Sequence, residues 1–315
     1  MTIRSALESE IFLRYVWLVG GVLVVAGLIL ALLTFVLRKN VSSIWRTYRG
    51  WLVMAPLVLG AIFLGREATI VGVTVLAIVG FLEFSRATGL AKERAITSVT
   101  AIAIGIVGVL SLVDEPRLDG PGWYGMFMAF PVYAVAAILI VPILRNKVRG
   151  QLNTLALAIL GFVYFGWMFG HLGFLANMSF TYGYLLFIVF AVEINDVAAF
   201  TCGKLFGRRP LRSEISPNKT LEGSLGAIAV ALAVPWLLRF SFPHFGTRDL
   251  IVMGLVVGIG GQVGDLAISI IKRDLGVKDM GTRIPGHGGI LDRIDSLIFV
   301  APLYFHLLRW FHGLR

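Results

Sequence analysis

Between Gly264 and Ser296 the chain gathers five carboxylates, five basic side chains and a Pro285-Gly286-His287-Gly288-Gly289 turn, although only 15% of all residues are charged. On a helix Asp265, Ser269 and Lys272 recur at i, i+4 and i+7 and so share one face. Asp292 and Asp295 stand i, i+3, and Ser296 follows Asp292 by four. Upstream, Glu193 and Asp196 repeat the i, i+3 spacing beside Asn195. Carboxylates converging from separate helices next to Lys and Arg suit one chemistry well. A hard divalent cation such as Mg²⁺ takes one or two carboxylates plus the oxygens of a substrate polyphosphate, and the bases offset the remaining charge. Gly286, Gly288 and Gly289 carry no Cβ, so their N–H groups can approach phosphate closely. A phosphoryl-type transfer asks the protein mainly to position the reactants and stabilise charge. For any single residue, structural ion pairing between helix ends is the alternative, and His287 reads equally as a turn residue or a phosphate contact.

The elements that carry these residues must lie in lipid. With 57% hydrophobic residues and a mean hydropathy of +0.86, 315 residues hold more apolar surface than a water-soluble core can hide. The expected fold is an all-α polytopic integral membrane protein with about ten transmembrane helices, over residues 15–37, 51–65, 68–84, 95–113, 123–144, 152–175, 181–202, 221–240, 248–271 and 293–311. The second and third of these are short, and form either one helical hairpin or two tilted helices. Residues 1–180 read as scaffold helices, and 181–315 as the helices with the charged loops.

Connections after the odd-numbered spans hold 20 of the 28 Lys and Arg residues. The positive-inside rule therefore places those connections, and the acids beside them, in the cytoplasm, with both termini outside. A bacterial inner membrane is the expected location. The net charge of +10 sits in short loops between apolar runs, which favours phosphate ligands and anionic headgroups over nucleic acid. Cys202 is the sole cysteine, which excludes an intrachain disulfide. The apolar run from Val16 to Leu37 is too long for the core of a cleavable leader. Gly254, Gly258, Gly260, Gly261 and Gly264 lack dinucleotide-binding spacing and read as a close helix-packing seam.

Taken together, Ser269-x-x-Lys272-Arg273, Lys278-Asp279, Pro285-x-His287-Gly288-Gly289 and Asp292-Arg293-x-Asp295 resemble the signature of the phosphatidate cytidylyltransferase family, the CDP-diglyceride synthases. Asn195-Asp196, Gly203 and Ser216-Pro217-Asn218-Lys219-Thr220-x-Glu222-Gly223 extend the resemblance over about the last 125 residues. It implies condensation of CTP with phosphatidic acid to CDP-diacylglycerol and pyrophosphate, with Mg²⁺ as cofactor. Asp265 and Asp292 match the family's metal-binding acids, and Asp196 would complete the acidic wall. Lys219, Lys272, Arg273, Lys278 and Arg293 would offset phosphate charge. Ser216, Asn218, Ser269, His287, Gly288 and Gly289 would contact substrate. Asp265, Asp292, Lys272 and Arg273 are the expected catalytic set. Two positions depart from the pattern: Ile268 stands where many members have Glu, and Met280 where a small polar residue is common. A homodimer is compatible with this reading. A CTP-dependent lipid kinase and an ion-coupled transporter are the competing functions, the transporter because intramembrane acids also make cation sites.

Overall fold

In hydrocarbon every backbone N–H and C=O must find a partner within its own segment, so long apolar runs become helices. The computed structural model describes residues 1–114, 121–281 and 288–312. It opens with a short helix α1 (Ile3–Glu8), followed by α2 (Glu10–Ala31), α3 (Ser42–Leu64), α4 (Arg66–Ala87), α5 (Arg94–Leu112) and α6 (Tyr124–Leu144). The sixth expected span is broken into α7 (Gln151–Gly161), a π-helical segment (Phe162–Met168) and α8 (Phe169–Phe174). Then come α9 (Thr181–Phe206), a two-stranded hairpin of β1 (Pro210–Arg212) and β2 (Ser216–Thr220), α10 (Leu221–Leu237), α11 (Thr247–Asp274) and α12 (Leu291–His312).

Among the described residues nine helical stretches are long and apolar enough to cross a membrane, and Leu221–Leu237 is a shorter apolar tenth. The protein is an integral membrane protein of the all-α class. At about 1.5 Å per residue α10 is some 25 Å long, near the lower limit for a span. It contains Pro235 and gives way at Leu238 to a 3₁₀ turn (Arg239–Ser241). The uncertain second and third spans are two full helices in a tight hairpin, joined at Gly65. Its φ of 116° and ψ of −166° are open essentially to glycine alone, and a Cβ there would sit 3.0 Å from the Met1 carbonyl.

The connections sort into two ends. At one, Arg66 donates to the Leu112 carbonyl at 2.9 Å, Tyr182 donates to the Thr2 carbonyl at 3.3 Å, Tyr184 and His244 are hydrogen-bonded at 2.8 Å, and Arg309 stacks over Tyr124. At the other, Lys147 and Arg145 meet Glu93 at 3.1 and 3.4 Å, and the start of α12 is bonded to Glu83 near the end of α4. The basic connections after α4, α6, α9 and α11 thus share one end of the bundle, as the charge alternation requires.

The seam glycines are close-packing positions. A Cβ on Gly254 would lie 2.8 Å from the Ala231 carbonyl and from Leu232 Cα on α10; one on Gly264 would lie 2.9 Å from the Asp295 carbonyl and Phe299 Cβ on α12. α11 is thereby clamped between α10 and α12 with its polar face held at their junction. Aromatic packing fills the other side: Phe165, on the π-helical segment, lies against Phe81 and Phe84 of α4.

Candidate active site

The end of the bundle that gathers the basic connections also gathers the acids. α11 supplies Asp265, whose carboxylate accepts from Ser269 Oγ at 3.3 Å one turn later and forms an ion pair with Lys219 of β2. The i, i+4 face read from the sequence is present. The Lys272 side chain leads elsewhere. Its Nζ is 2.5 Å from Asp292 Oδ1 and 3.9 Å from Asp295 Oδ2, joining α11 to the first turns of α12. Asp292 also accepts backbone N–H groups from Gly289 at 2.8 Å and Met280 at 3.1 Å, which suits a carboxylate at a helix N-terminus. Ser296 donates to Asp196 of α9 at 3.2 Å. Asp196 lies within electrostatic reach of Asp265 and Lys219, and Asp295 within reach of Asp265, Lys272 and Asp196. Three helices and one hairpin therefore contribute to a single cluster of acids and lysines.

Around this cluster the remaining expected residues divide. Gly288, at φ +80°, and Gly289 lie against Asp292; a Cβ on Gly288 would come within 2.6 Å of Oδ2, so glycine is required there on two counts. Arg273 donates to the Ile215 carbonyl at 3.2 Å and so ties the hairpin to the end of α11. Arg293 is exposed and lies within electrostatic reach of Asp196 and Glu193. The side chains of Ser216, Asn218 and Lys278 make no hydrogen bond or ion pair among the described residues; Asn218 and Lys278 are exposed. His287 lies outside the described residues. The two departures from the family pattern are buried: Ile268 is part of the apolar core, and Met280 uses its backbone N–H, which any residue but proline would supply.

Two features were not read from the sequence. The β hairpin that carries Lys219 is short and charged and lacks the apolar alternation that announces a strand. Glu83 of α4 is 3% exposed, and its Oε2 accepts the Leu291 N–H at 3.1 Å. A signal for it did exist: a carboxyl inside the apolar run 68–84 obeys the same rule that singled out Asp265.

Asn195 is completely buried, with neither side-chain O nor N partnered, and it faces Gly261. Asp196 and Asp265 lie within electrostatic reach of each other, and carboxylate oxygens are the donors a hard cation prefers. Among the described residues no three of His, Cys, Asp and Glu are grouped to hold an ion by themselves. Carboxylates such as these would leave a bound Mg²⁺ to complete its shell with phosphate oxygens and water.

A bundle of membrane helices that brings carboxylates, lysines and glycine N–H groups together at one end defines a class: membrane enzymes built to handle a charged phosphate substrate. The chain belongs to the cytidylyltransferase family, whose model matches residues 44–311. It is 44% identical over 126 residues to the uncharacterized protein YnbB of Escherichia coli (strain K12), a match spanning 40% of this chain and 42% of that protein. It is 36% identical over 207 residues to a phosphatidate cytidylyltransferase of Staphylococcus haemolyticus (strain JCSC1435), covering 65% of this chain and 78% of the relative. A phosphatidate cytidylyltransferase of Staphylococcus aureus (strain COL) is 35% identical over the same shares.

Proposed function

We propose that the protein condenses CTP with phosphatidic acid, forming CDP-diacylglycerol and releasing pyrophosphate. The observation that carries this reading is the pairing of Lys219 with Asp265 and of Lys272 with Asp292 where α11, α12 and the hairpin meet, in a chain of the cytidylyltransferase family. A phosphate oxygen of the lipid attacks the α-phosphorus of CTP, the bond from that phosphorus to the bridging oxygen breaks, and the electron pair leaves with pyrophosphate. The nucleophile is already an anion, so no side chain has to remove a proton. The work left to the protein is orientation and charge stabilisation.

Lys219, Lys272, Arg273, Lys278 and Arg293 offset the charge of the triphosphate and of the departing pyrophosphate. Ser216, Asn218, Ser269 and His287 hydrogen-bond substrate, and the N–H groups of Gly288 and Gly289 cap phosphate oxygens. Asp265, Asp196 and Asp292 would hold Mg²⁺, which supplies charge neutralisation when bound. The basic end faces the cytoplasm of a bacterial inner membrane, where CTP is dissolved and the lipid phosphate lies in the adjoining leaflet. That location explains a site at helix ends, at the boundary between lipid and water.

The test uses purified protein in detergent micelles containing phosphatidic acid and Mg²⁺. With CTP labelled at the α-phosphate, label should enter the lipid in step with pyrophosphate release. Label entering only from γ-labelled CTP would replace this reading with a lipid kinase, and no transfer from either would sink it.

A further inference from the structure

Glu83 is a buried carboxyl group that the proposed chemistry leaves without a task, and it comes from α4, far from the acid-rich stretch in sequence. It lies against both flanks of the connection between α11 and α12. On the α12 side its Oε2 accepts the Leu291 N–H at 3.1 Å, and a Cβ on Gly289 would come within 2.5 Å of the same oxygen. On the α11 side a Cβ on Gly281 would lie 3.0 Å from its Cδ and Oε1, and 3.1 Å from Gly289 Cα. The two glycines leave just enough room for one carboxyl group between chain segments that pass each other closely. Immediately beside them, Met280 and Gly289 donate their N–H groups to Asp292, which receives Lys272 on its other oxygen. α4 is held at that depth by Gly80, where a Cβ would lie 3.1 Å from Phe165 and 3.3 Å from Ile294 of α12.

We infer that Glu83 is a positioning residue: it clasps the two flanks of the α11–α12 connection and thereby keeps the Met280 and Gly289 N–H groups, and the start of α12, in register on Asp292. The geometry supports this over a bland buried acid because the carboxyl lies between the two backbone segments of that connection and accepts an N–H from one of them. A carboxyl at the first N–H groups of α12 is also favoured by the positive end of the helix. The inference rests on the reading that Asp292 and the Gly288-Gly289 segment serve the nucleotide. It makes the N-terminal helices part of the site and not only its support.

Three variants decide it: Glu83→Ala, Glu83→Gln, whose amide oxygen can still accept the Leu291 N–H, and Val73→Ala as a buried control on the same helix away from the cluster. The clasp predicts that Glu83→Ala lowers kcat/KM for CTP about 100-fold, the usual scale for a misplaced reactive group. KM for phosphatidic acid should stay within about 2-fold, and Glu83→Gln should recover to within about 10-fold of wild type. Val73→Ala should reduce thermal stability without changing turnover per folded molecule. Independently of activity, hydrogen exchange at the Met280, Gly289 and Leu291 amides should speed up strongly in Glu83→Ala, by a smaller factor in Glu83→Gln, and not in Val73→Ala. Unchanged exchange at these amides, or a loss of turnover matched by the loss of folded protein, would overturn the proposal. If Glu83→Ala does not fold, Glu83→Gln carries the test through the same exchange measurement. A wild type that transfers nothing from CTP would defeat the functional reading while the exchange comparison still settles Glu83.

Discussion

Lys272 and Asp292 face each other with only 11% and 3% of their side chains exposed, whereas Lys219 and Asp265 are 27% and 29% exposed. The difference separates two lysines that look alike in the sequence. Removing one partner of a buried pair strands the other charge and costs about 3–5 kcal/mol, while a half-exposed pair is worth about 1 kcal/mol or less. Lys272→Met should therefore lower the unfolding temperature in detergent sharply, and the double variant Lys272→Met/Asp292→Leu should regain part of that loss. Lys219→Met should unfold close to wild type and still lose most of its turnover. Asp265→Asn and Asp292→Asn should abolish label transfer from α-labelled CTP while the protein continues to insert into membranes. Retained turnover in both would remove these acids from the site.

Helices, and the contacts between them, decide how much of this could be read in advance. Apolar runs between charged boundaries mark the spans because lipid leaves a backbone no other solution, and most span ends fall within a few residues of the expected ones. α3 is the exception: it begins at Ser42, not near 51, because Arg46 and Arg49 disguise its first turns as loop. The π-helical segment and the β hairpin left no periodic signature. The polar face of α11 was legible, since i, i+4 spacing places Asp265 on Ser269. The partners were not: Glu83 and Leu291 are 208 positions apart, and no local spacing links them. The glycine seam offers a test at this scale. Gly254→Ala forces a methyl against the α10 backbone, and Gly264→Ala against α12; each should cost about 1–3 kcal/mol, as overpacking does. Only Gly264→Ala should also depress turnover, because α12 carries Asp292 and Asp295.

For the whole molecule, the sorting of connections to two ends makes a topological prediction. In a Cys202→Ser background, Glu8→Cys should react with a membrane-impermeant thiol reagent added to intact cells, and Lys147→Cys only after the membrane is opened. The reverse pattern would turn the bundle over and place the acids outside. α2 and α3 present almost all of their apolar surface outward, with 6% of each span buried against 56% for α12, so the cluster lies under the better packed helices. The lysine–aspartate pairs have a further consequence, for the order of events. Asp265 and Asp292 each hold a cation that is tethered to the chain and cannot diffuse away. Were these acids to hold Mg²⁺, as proposed, Lys219 and Lys272 would have to release them, and the phosphates of a bound nucleotide would give both lysines a new anion in exchange. Calorimetry should therefore find weak Mg²⁺ binding to the protein alone and marked tightening when CTP is present. The two lysines would act as timekeepers, holding the carboxylates shut until nucleotide and metal come together.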